Sequence, residues 1–334
     1  MTGMTAPVVR DVAVCPRCRC ALEWSASECR CTSASCGGMY PVTDGIPVLL
    51  VNPEASEHDE LDHAHGHKHK QAHYFDRNVA GEFEITRPNA SPALYQWMLA
   101  EKFRRSISGI APLLPGATVL TVCGGSGMDG QFLAGAGAHV VVCDISLEAA
   151  KRAQTRAQRF RLDMEAAGAD VEQLPFGDHA FDIVYVHDGL HHLEDPTIGL
   201  REMARVARSA VAVTEPADAA VTRAAVRLRL ALAEEEAGNK VARLRPNDVA
   251  DTLRSCGLAA VEAQRYAMFY RHEPGLFMRL GSNPALFGGA VKAWQLADMV
   301  LGPVGNKLAV VARRANQEPG NSSATGAVEP STTL

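Results

Sequence analysis

From residue 117 onward, short apolar runs alternate with longer stretches whose apolar residues recur at helical spacing. The run Val119 to Val122 predicts a strand that ends in a glycine cluster. Residues 129–136 predict a helix start, and 138–143 a second buried strand. Ala150, Ala153, Ala157 and Phe160 share one helical face, which predicts a helix over 147–166. A third, weaker strand is expected near Asp170 and Val171, a fourth over 181–186, a helix over 196–206 and a fifth strand over 210–214. Val226, Leu230 and Ala233 mark one side of a predicted helix over 222–237. Pro246-Asn247-Asp248 opens another, which runs to about Cys256 and is closed by Gly257. The last two strands are expected over 260–269 and 307–311.

Strands that alternate with helices define the α/β class, with a mostly parallel sheet covered on both faces. Such a sheet binds ligands beyond the carboxyl ends of its strands. The N-terminal third follows a different pattern. Residues 12–51 are rich in cysteine, and two extended runs, near Tyr40 to Val42 and over 46–51, flank the turn tripeptide Thr43-Asp44-Gly45. Residues 52–73 are polar and read as a linker. Residues 74–110 read as helical, with Leu94, Met98 and Phe103 as apolar anchors. The tail over 316–334, rich in Ser, Thr, Gly and Pro, is expected to be disordered.

Composition narrows the function. The chain of 334 residues is 47% apolar and 21% charged with a net charge of −5, the balance of a globular protein without the basicity that nucleic acid or an anionic membrane would draw. No run of ~18 uninterrupted apolar residues occurs, so no transmembrane helix is expected. The least polar long stretch, 285–305, is broken by Lys292, Gln295, Asp298 and Pro303. Residues 1–11 lack the basic start and apolar stretch of a signal peptide, so a reducing cytoplasm is the expected compartment.

There are nine cysteines, and six fall between Cys15 and Cys36. Cys15-Pro16-Arg17-Cys18 forms one pair, and Cys31 with Cys36 forms a second. Two thiolate pairs suit a tetrahedral Zn2+ ion, which would staple a module too small to build a large core. Cys20 and Cys29 are spare, and Cys29 is an alternative ligand to Cys31. An iron–sulfur cluster is the functional alternative. The run Cys36-Gly37-Gly38-Met39-Tyr40-Pro41-Val42-Thr43-Asp44-Gly45-Ile46-Pro47-Val48-Leu49-Leu50 resembles a zinc-ribbon family that occurs alone as a methyltransferase partner and fused in front of methyltransferase domains.

Three segments carry candidate chemistry. The first is Cys123-Gly124-Gly125-Ser126-Gly127, where glycines let a ligand approach the backbone and helix amides. Such a turn can also merely join a strand to a helix. The second is Asp144, placed after its strand where an acid can accept both hydroxyls of a ribose. It can also serve as an N-cap, although Ser146 is placed to fill that role. The third comprises Asp170 to Phe176, then Phe181-Asp182-Ile183-Val184, and then His187-Asp188-Gly189-Leu190-His191-His192-Leu193.

In that order these segments resemble the class I S-adenosylmethionine-dependent methyltransferases of the ubiquinone-methyltransferase-like branch, over roughly residues 115–315. The resemblance implies a Rossmann-like seven-stranded sheet preceded by the small zinc ribbon. It implies S-adenosyl-L-methionine as cofactor, held by Thr121, Cys123, Gly125, Gly127, Asp144, Ile145, Asp170, Val171 and His187. Gly125 and Gly127 would pass under its methionine part, Asp144 would bind the ribose, Asp170 and Val171 would meet the adenine, and His187 would lie near the methyl donor. The family usually has an acid where Thr121 stands and a glycine where Cys123 stands.

Six of the twelve histidines lie between His58 and His73, either as a metal-buffering tract or as a solvated linker. The following Tyr74-Phe75-Asp76 resembles the segment that covers the cofactor in related enzymes. His191 and His192 are candidate general bases, with His187 and Glu215 as rivals. The Asn/Asp-Pro-Pro-aromatic motif of base-amino methyltransferases is missing. Two further regions are read as cap insertions. Residues 217–246 hold Arg223, Arg227, Arg229, Lys240, Arg243 and Arg245 beside Glu234-Glu235-Glu236, as a solvated face or a roof for an anionic substrate. Residues 271–305 hold enough apolar surface for a lid or a homodimer contact. The leading reading is methyl transfer to a small-molecule or lipid-linked acceptor, on oxygen. The alternatives are an RNA guanine methyltransferase, against which the balanced charge of the ribbon counts, and a noncatalytic docking module.

Overall fold

The computed structural model describes residues 8–51, 81–219, 227, 244–268 and 272–314. Its strands are β1 Leu22–Trp24, β2 Glu28–Cys31, β3 Met39–Thr43, β4 Ile46–Leu49, β5 Thr118–Val122, β6 His139–Asp144, β7 Met164–Ala169, β8 Phe181–His187, β9 Ala207–Pro216, β10 Ala260–Tyr266 and β11 Lys307–Arg313. Its helices are α1 Val8–Val12, α2 Gly81–Thr86, α3 Ala93–Ser106, α4 Met128–Gly135, α5 Leu147–Phe160, α6 Pro196–Val206, α7 Pro246–Ser255, α8 Leu276–Gly281 and α9 Pro284–Leu301. All eleven strands join in one sheet, in the order β1-β2-β3-β4-β7-β6-β5-β8-β9-β11-β10.

The central strands β7, β6, β5, β8 and β9 are parallel, and β11 runs antiparallel between β9 and β10. Being buried on both faces, they carry unbroken apolar runs. Leu120, Val122, Val141, Cys143, Val184 and Val186 face one core, under Leu200 and Met203 of α6 and Val249 and Leu253 of α7. Val119, Val140, Val142, Ile183 and Tyr185 face the other, under Phe103 of α3, Leu133 of α4 and Ala150 and Ala153 of α5. A third cluster joins Leu94 and Met98 of α3 to Tyr266, Met268 and Met278, with Phe287 and Trp294 of α9 packed against it.

The helix expected over 147–166 is shorter than its composition suggests. Ser146 caps its start by accepting from the Ala149 amide, and Arg161 ends it at a left-handed φ of 53°. The Ala-rich stretch beyond favours helix by propensity, yet parallel pairing with β6 takes it into β7, and tertiary context wins. The third strand therefore ends at Ala169, just before the expected Asp170 and Val171, where Asp170 caps a 3-10 turn over Val171–Gln173. Helix 74–110 is likewise interrupted between Thr86 and Ala93, where Pro88 and Pro92 lie. Apart from Arg227, which is helical, the helix expected over 222–237 lies outside the described residues, as do most of the cap 217–246, linker 52–73, Tyr74-Phe75-Asp76 and the tail 316–334.

The cysteine-rich segment is not a detached module. Its strands β1 to β4 are antiparallel to one another, and β4 then pairs in parallel with β7, Val48 opposite Gly168 and Leu49 opposite Ala169. A Cβ on Gly168 would lie 3.3 Å from the Val48 backbone, so the small residue lets the two strands meet. Val9, Tyr40 and Leu49 belong to the same core as Phe176. The Val14 amide donates to Pro175 O at 2.9 Å, and Gln173 Nε2 donates to Pro16 O at 2.8 Å. Among the described residues, no helix is long and apolar enough to cross a membrane.

Candidate functional site

The glycine loop that follows β5 is shaped by close contacts. A Cβ on Gly124 would lie 2.5 Å from Val142 Cγ1, and one on Gly127 (φ +75°) 3.0 Å from Ala153 Cβ. Gly125 has φ +52°, and beyond its chain neighbours no atom of the described residues lies within 4 Å of where a Cβ would stand. Asp144, at the end of β6, points back at this loop. Its Oδ2 accepts from the Gly125 amide at 2.9 Å and its Oδ1 from the Ser146 amide at 2.9 Å. One carboxylate thus ties the loop to the N-terminus of α5. Ser146 fills the capping role, as its side chain bonds Ala149 N. Ile145 beside it is half-buried. Asp170 Oδ1 accepts from the Glu172 amide at 2.9 Å, and Val171 is buried next to it.

Cys123 stands at φ 51° where a β-carbon is unfavourable. It packs on Gly189 so tightly that a Cβ there would lie 2.3 Å from Cys123 Cβ. Gly189→Ala is expected to lower stability by about 2 kcal/mol or more through overpacking, read as a shift in the denaturant midpoint. An unchanged midpoint would contradict this contact.

The segment after β8 is locked from below. Glu215 at the end of β9 is fully buried and accepts from the Gly189 amide at 2.8 Å and the Leu190 amide at 2.7 Å, while its other oxygen lies 2.7 Å from His191 Nδ1. His192 is half-buried, its ring 4.1 Å from that of His191. His187 is buried, with Nδ1 3.2 Å from Asp129 Oδ1 and 3.2 Å from the Tyr185 hydroxyl. Among the described residues its Nε2 has no hydrogen-bond partner, and neither do the buried Thr121 and Thr214 hydroxyls.

Helix α2 lies across the glycine loop. Glu84 is buried and accepts from Ser126 Oγ at 2.9 Å, with Arg87 at 3.0 Å and His272 at 2.8 Å from its carboxylate. Burial opposes its ionisation, but His272 and Arg87 outweigh that and hold its pKa down at about 2. Arg156 of α5 is fully buried beneath, donating to Ser126 O at 2.8 Å.

Several polar residues here were not singled out by sequence reasoning: Lys102, Asp129, Asp188, Tyr266 and Lys307. Lys102 and Lys307 both pair with Asp188, at 2.7 and 2.5 Å. The available signal was Lys102 itself, which falls in the buried stripe of α3 among Leu94, Met98, Leu99 and Phe103. A lysine at core spacing on a helix wants a buried partner.

At the far end of the sheet, the Sγ atoms of Cys15, Cys18, Cys31 and Cys36 all lie within 4.8 Å of one another. Cys18 and Cys31 are 3.3 Å apart, and Cys15 and Cys36 3.7 Å. A tetrahedron of thiolates about one zinc at ~2.3 Å has edges of about 3.8 Å, so this donor set fits a single ion. Burial works against the Cys15 thiolate, yet the Tyr40 hydroxyl and the Cys18 and Arg17 amides bring its pKa down to about 6. Cys29 instead lies in the core, where burial pushes its pKa up to about 11, and Cys20 is exposed. The cluster therefore contains Cys31 rather than Cys29.

The strand order β7-β6-β5-β8-β9-β11-β10, with an antiparallel β11 and a glycine loop after β5, forms the seven-stranded Rossmann-like methyltransferase sheet that the resemblance implies. Residues 120–213 match the family described as methyltransferase domain. The chain is 32% identical over 131 residues to the demethylmenaquinone methyltransferase of Renibacterium salmoninarum, covering 39% of this chain and 52% of that one. It is 42% identical over 96 residues to the enzyme of the same name from Corynebacterium urealyticum, covering 29% of this chain and 39% of that one. The chain thus spans about half the length or less of these two curated relatives. Among solved structures, magnesium protoporphyrin IX methyltransferase from Synechocystis PCC 6803 with bound SAH superposes with a TM-score of 0.50 at 18% identity, over 75% of this chain and all of that one.

Proposed function

We propose that this chain is an S-adenosylmethionine-dependent methyltransferase whose acceptor is a small, quinone-like molecule, free or lipid-linked, methylated on oxygen. The observation that carries the reading is Asp144, which bridges the Gly125 and Ser146 amides beside an open glycine turn. The residues fit the cofactor: Gly125 leaves room among the described residues where a side chain would stand, and Thr121 Oγ1 of β5 and His187 Nε2 at the end of β8 are buried with no hydrogen-bond partner among the described residues. Asp144 would hold the ribose, Asp170 and Val171 the adenine, and Thr121, Cys123, Gly125, Gly127 and His187 the methionine end. Bound there, the cofactor would supply an already activated methyl group, so positioning matters before proton removal does. His191, tied to Glu215, keeps the 188–193 segment in place, and His187, at the carboxyl end of β8, would lie near the methyl donor. The quinone-like acceptor class rests on the names of the sequence relatives.

We also propose a structural Zn2+ on Cys15, Cys18, Cys31 and Cys36, a catalytic unit over 74–315, and a cytoplasmic location. The cap helices α8 and α9 expose Phe277, Leu280, Leu286, Leu296 and Met299, which supports a lid or homodimer role for 271–305. The test is calorimetric titration of the zinc-loaded protein with S-adenosylhomocysteine, followed by transfer of labelled methyl from S-adenosylmethionine to a hydroxynaphthoquinone. Saturable binding and labelled product are expected. Absence of binding would overturn the reading.

A further inference from the structure

On the α3 and α4 side of the sheet, polar side chains gather at the carboxyl ends of β8 and β9 and the adjoining ends of β10 and β11. His187 lies opposite Thr214 in register, and Lys307 opposite Tyr266. Asp188 is their common centre. Its carboxylate takes Lys102 Nζ at 2.7 Å and Lys307 Nζ at 2.5 Å, and His187 Nε2 is 3.8 Å away. Tyr266 is 2% exposed, and after burial itself the negative charge of Asp188 is the largest influence that keeps its hydroxyl protonated. Among the described residues, neither the Tyr266 hydroxyl nor His187 Nε2 has a hydrogen-bond partner. Lys307 is buried and spends one of its three N–H donors on Asp188.

This arrangement is poorly explained as a device for stability. Burying two ammonium groups against one carboxylate carries a desolvation penalty that apolar residues of similar volume would avoid. Asp188 also adopts φ 55°, a conformation that costs a non-glycine residue about 1 kcal/mol or more and that tends to cluster at functional sites. The neighbouring acids are engaged elsewhere, Asp129 on His187 Nδ1 and Glu215 on two backbone amides and His191. The Asp188 side chain retains 23% exposure, so the cluster borders an opening rather than lying sealed within the core.

We propose that the Lys307 ammonium and the Tyr266 hydroxyl form an oxyanion subsite that holds the methyl acceptor as its ionised hydroxyl, so that the substrate class is an acidic enol or phenol. The proposal rests on the methyltransferase reading and narrows its acceptor. An acceptor held as its anion needs no proton removed at the moment of transfer. That is consistent with the engagement of His191 by Glu215.

The test uses 2-hydroxy-1,4-naphthoquinone, a coloured acidic enol, and 2-methoxy-1,4-naphthoquinone, its non-ionising ether, each titrated into the full zinc-loaded chain with S-adenosylhomocysteine present. The hydroxy compound is expected to bind at least about tenfold more tightly, with the absorption spectrum of the enolate in the bound state. Tyr266→Phe removes only an unpartnered hydroxyl. It is expected to weaken the hydroxy compound about tenfold, the loss of one hydrogen bond to a charge, and to leave the ether and S-adenosylhomocysteine unchanged. Lys307→Gln is expected to abolish the preference. Equal affinity for the two quinones, or an unchanged preference in Tyr266→Phe, would overturn the subsite. Failure of S-adenosylhomocysteine to bind when titrated alone would instead overturn the methyltransferase reading, and repeating the quinone titrations without it reads the anion preference independently.

Discussion

Asp144→Ala is expected to abolish detectable binding of S-adenosylhomocysteine while leaving the fold intact. The carboxylate accepts from two backbone amides, Gly125 N and Ser146 N, and the ribose hydroxyls would use its remaining lone pairs. Hydrogen bonds to a charged group are worth about 1.5–3 kcal/mol each, so losing two to the ligand weakens binding by two to four orders of magnitude. The loop is also released from α5, which adds an ordering cost to any residual binding. The helix keeps its start, because Ser146 caps Ala149 independently. Calorimetry gives the affinity and thermal unfolding the integrity of the fold. Wild-type affinity in this variant would refute the assignment of the glycine loop.

The second large effect belongs to the proposed zinc site. Structural zinc contributes on the order of 10–16 kcal/mol of apparent free energy in small finger peptides. A whole domain is stable by only about 5–15 kcal/mol. Stripping the ion with a strong chelator, or Cys18→Ser, is therefore expected to unfold residues 12–51 as a unit. Cys18 is the clearer choice, since it is exposed while Cys15 is also a core residue. Hydrogen exchange should report lost protection over β1 to β4 together with β7, whose outer edge β4 covers, and retained protection over β5 and β8. Full protection of the ribbon without metal, or a purified protein carrying no zinc, would refute the metal site.

Where local pattern and tertiary demand agreed, the sequence was readable. The apolar runs at Val119 to Val122 and Phe181 to Val186 are strands because both faces of a parallel sheet are buried, which leaves nothing else for such runs to be. Pro196 and Gly257 marked helix ends through backbone geometry alone. The Ala-rich residues 165–169 misled, because alanine favours helix while their neighbours demanded a strand. Strands β1 and β2 were missed: at three and four residues they are too short to show a period. Within the site, Asp144 and the glycines were legible because they follow strands in sequence. Asp188 was quoted only as part of a motif, and Lys102 and Lys307 lie far from it in the chain, so only the fold brings the three together.

The pairing of β4 with β7 also bears on the order in which the chain is made. Val48 leaves the ribosome some 120 residues before its partner Gly168. Synthesis proceeds at about 5–20 residues per second, so the ribbon waits roughly 6–24 s for the strand that covers it. During that interval the edge of β4 stands open as a template for pairing with another nascent chain. Early capture of zinc would hold the four ribbon strands in register through the delay, and metal supply during growth would then govern the yield of folded protein as well as its final stability.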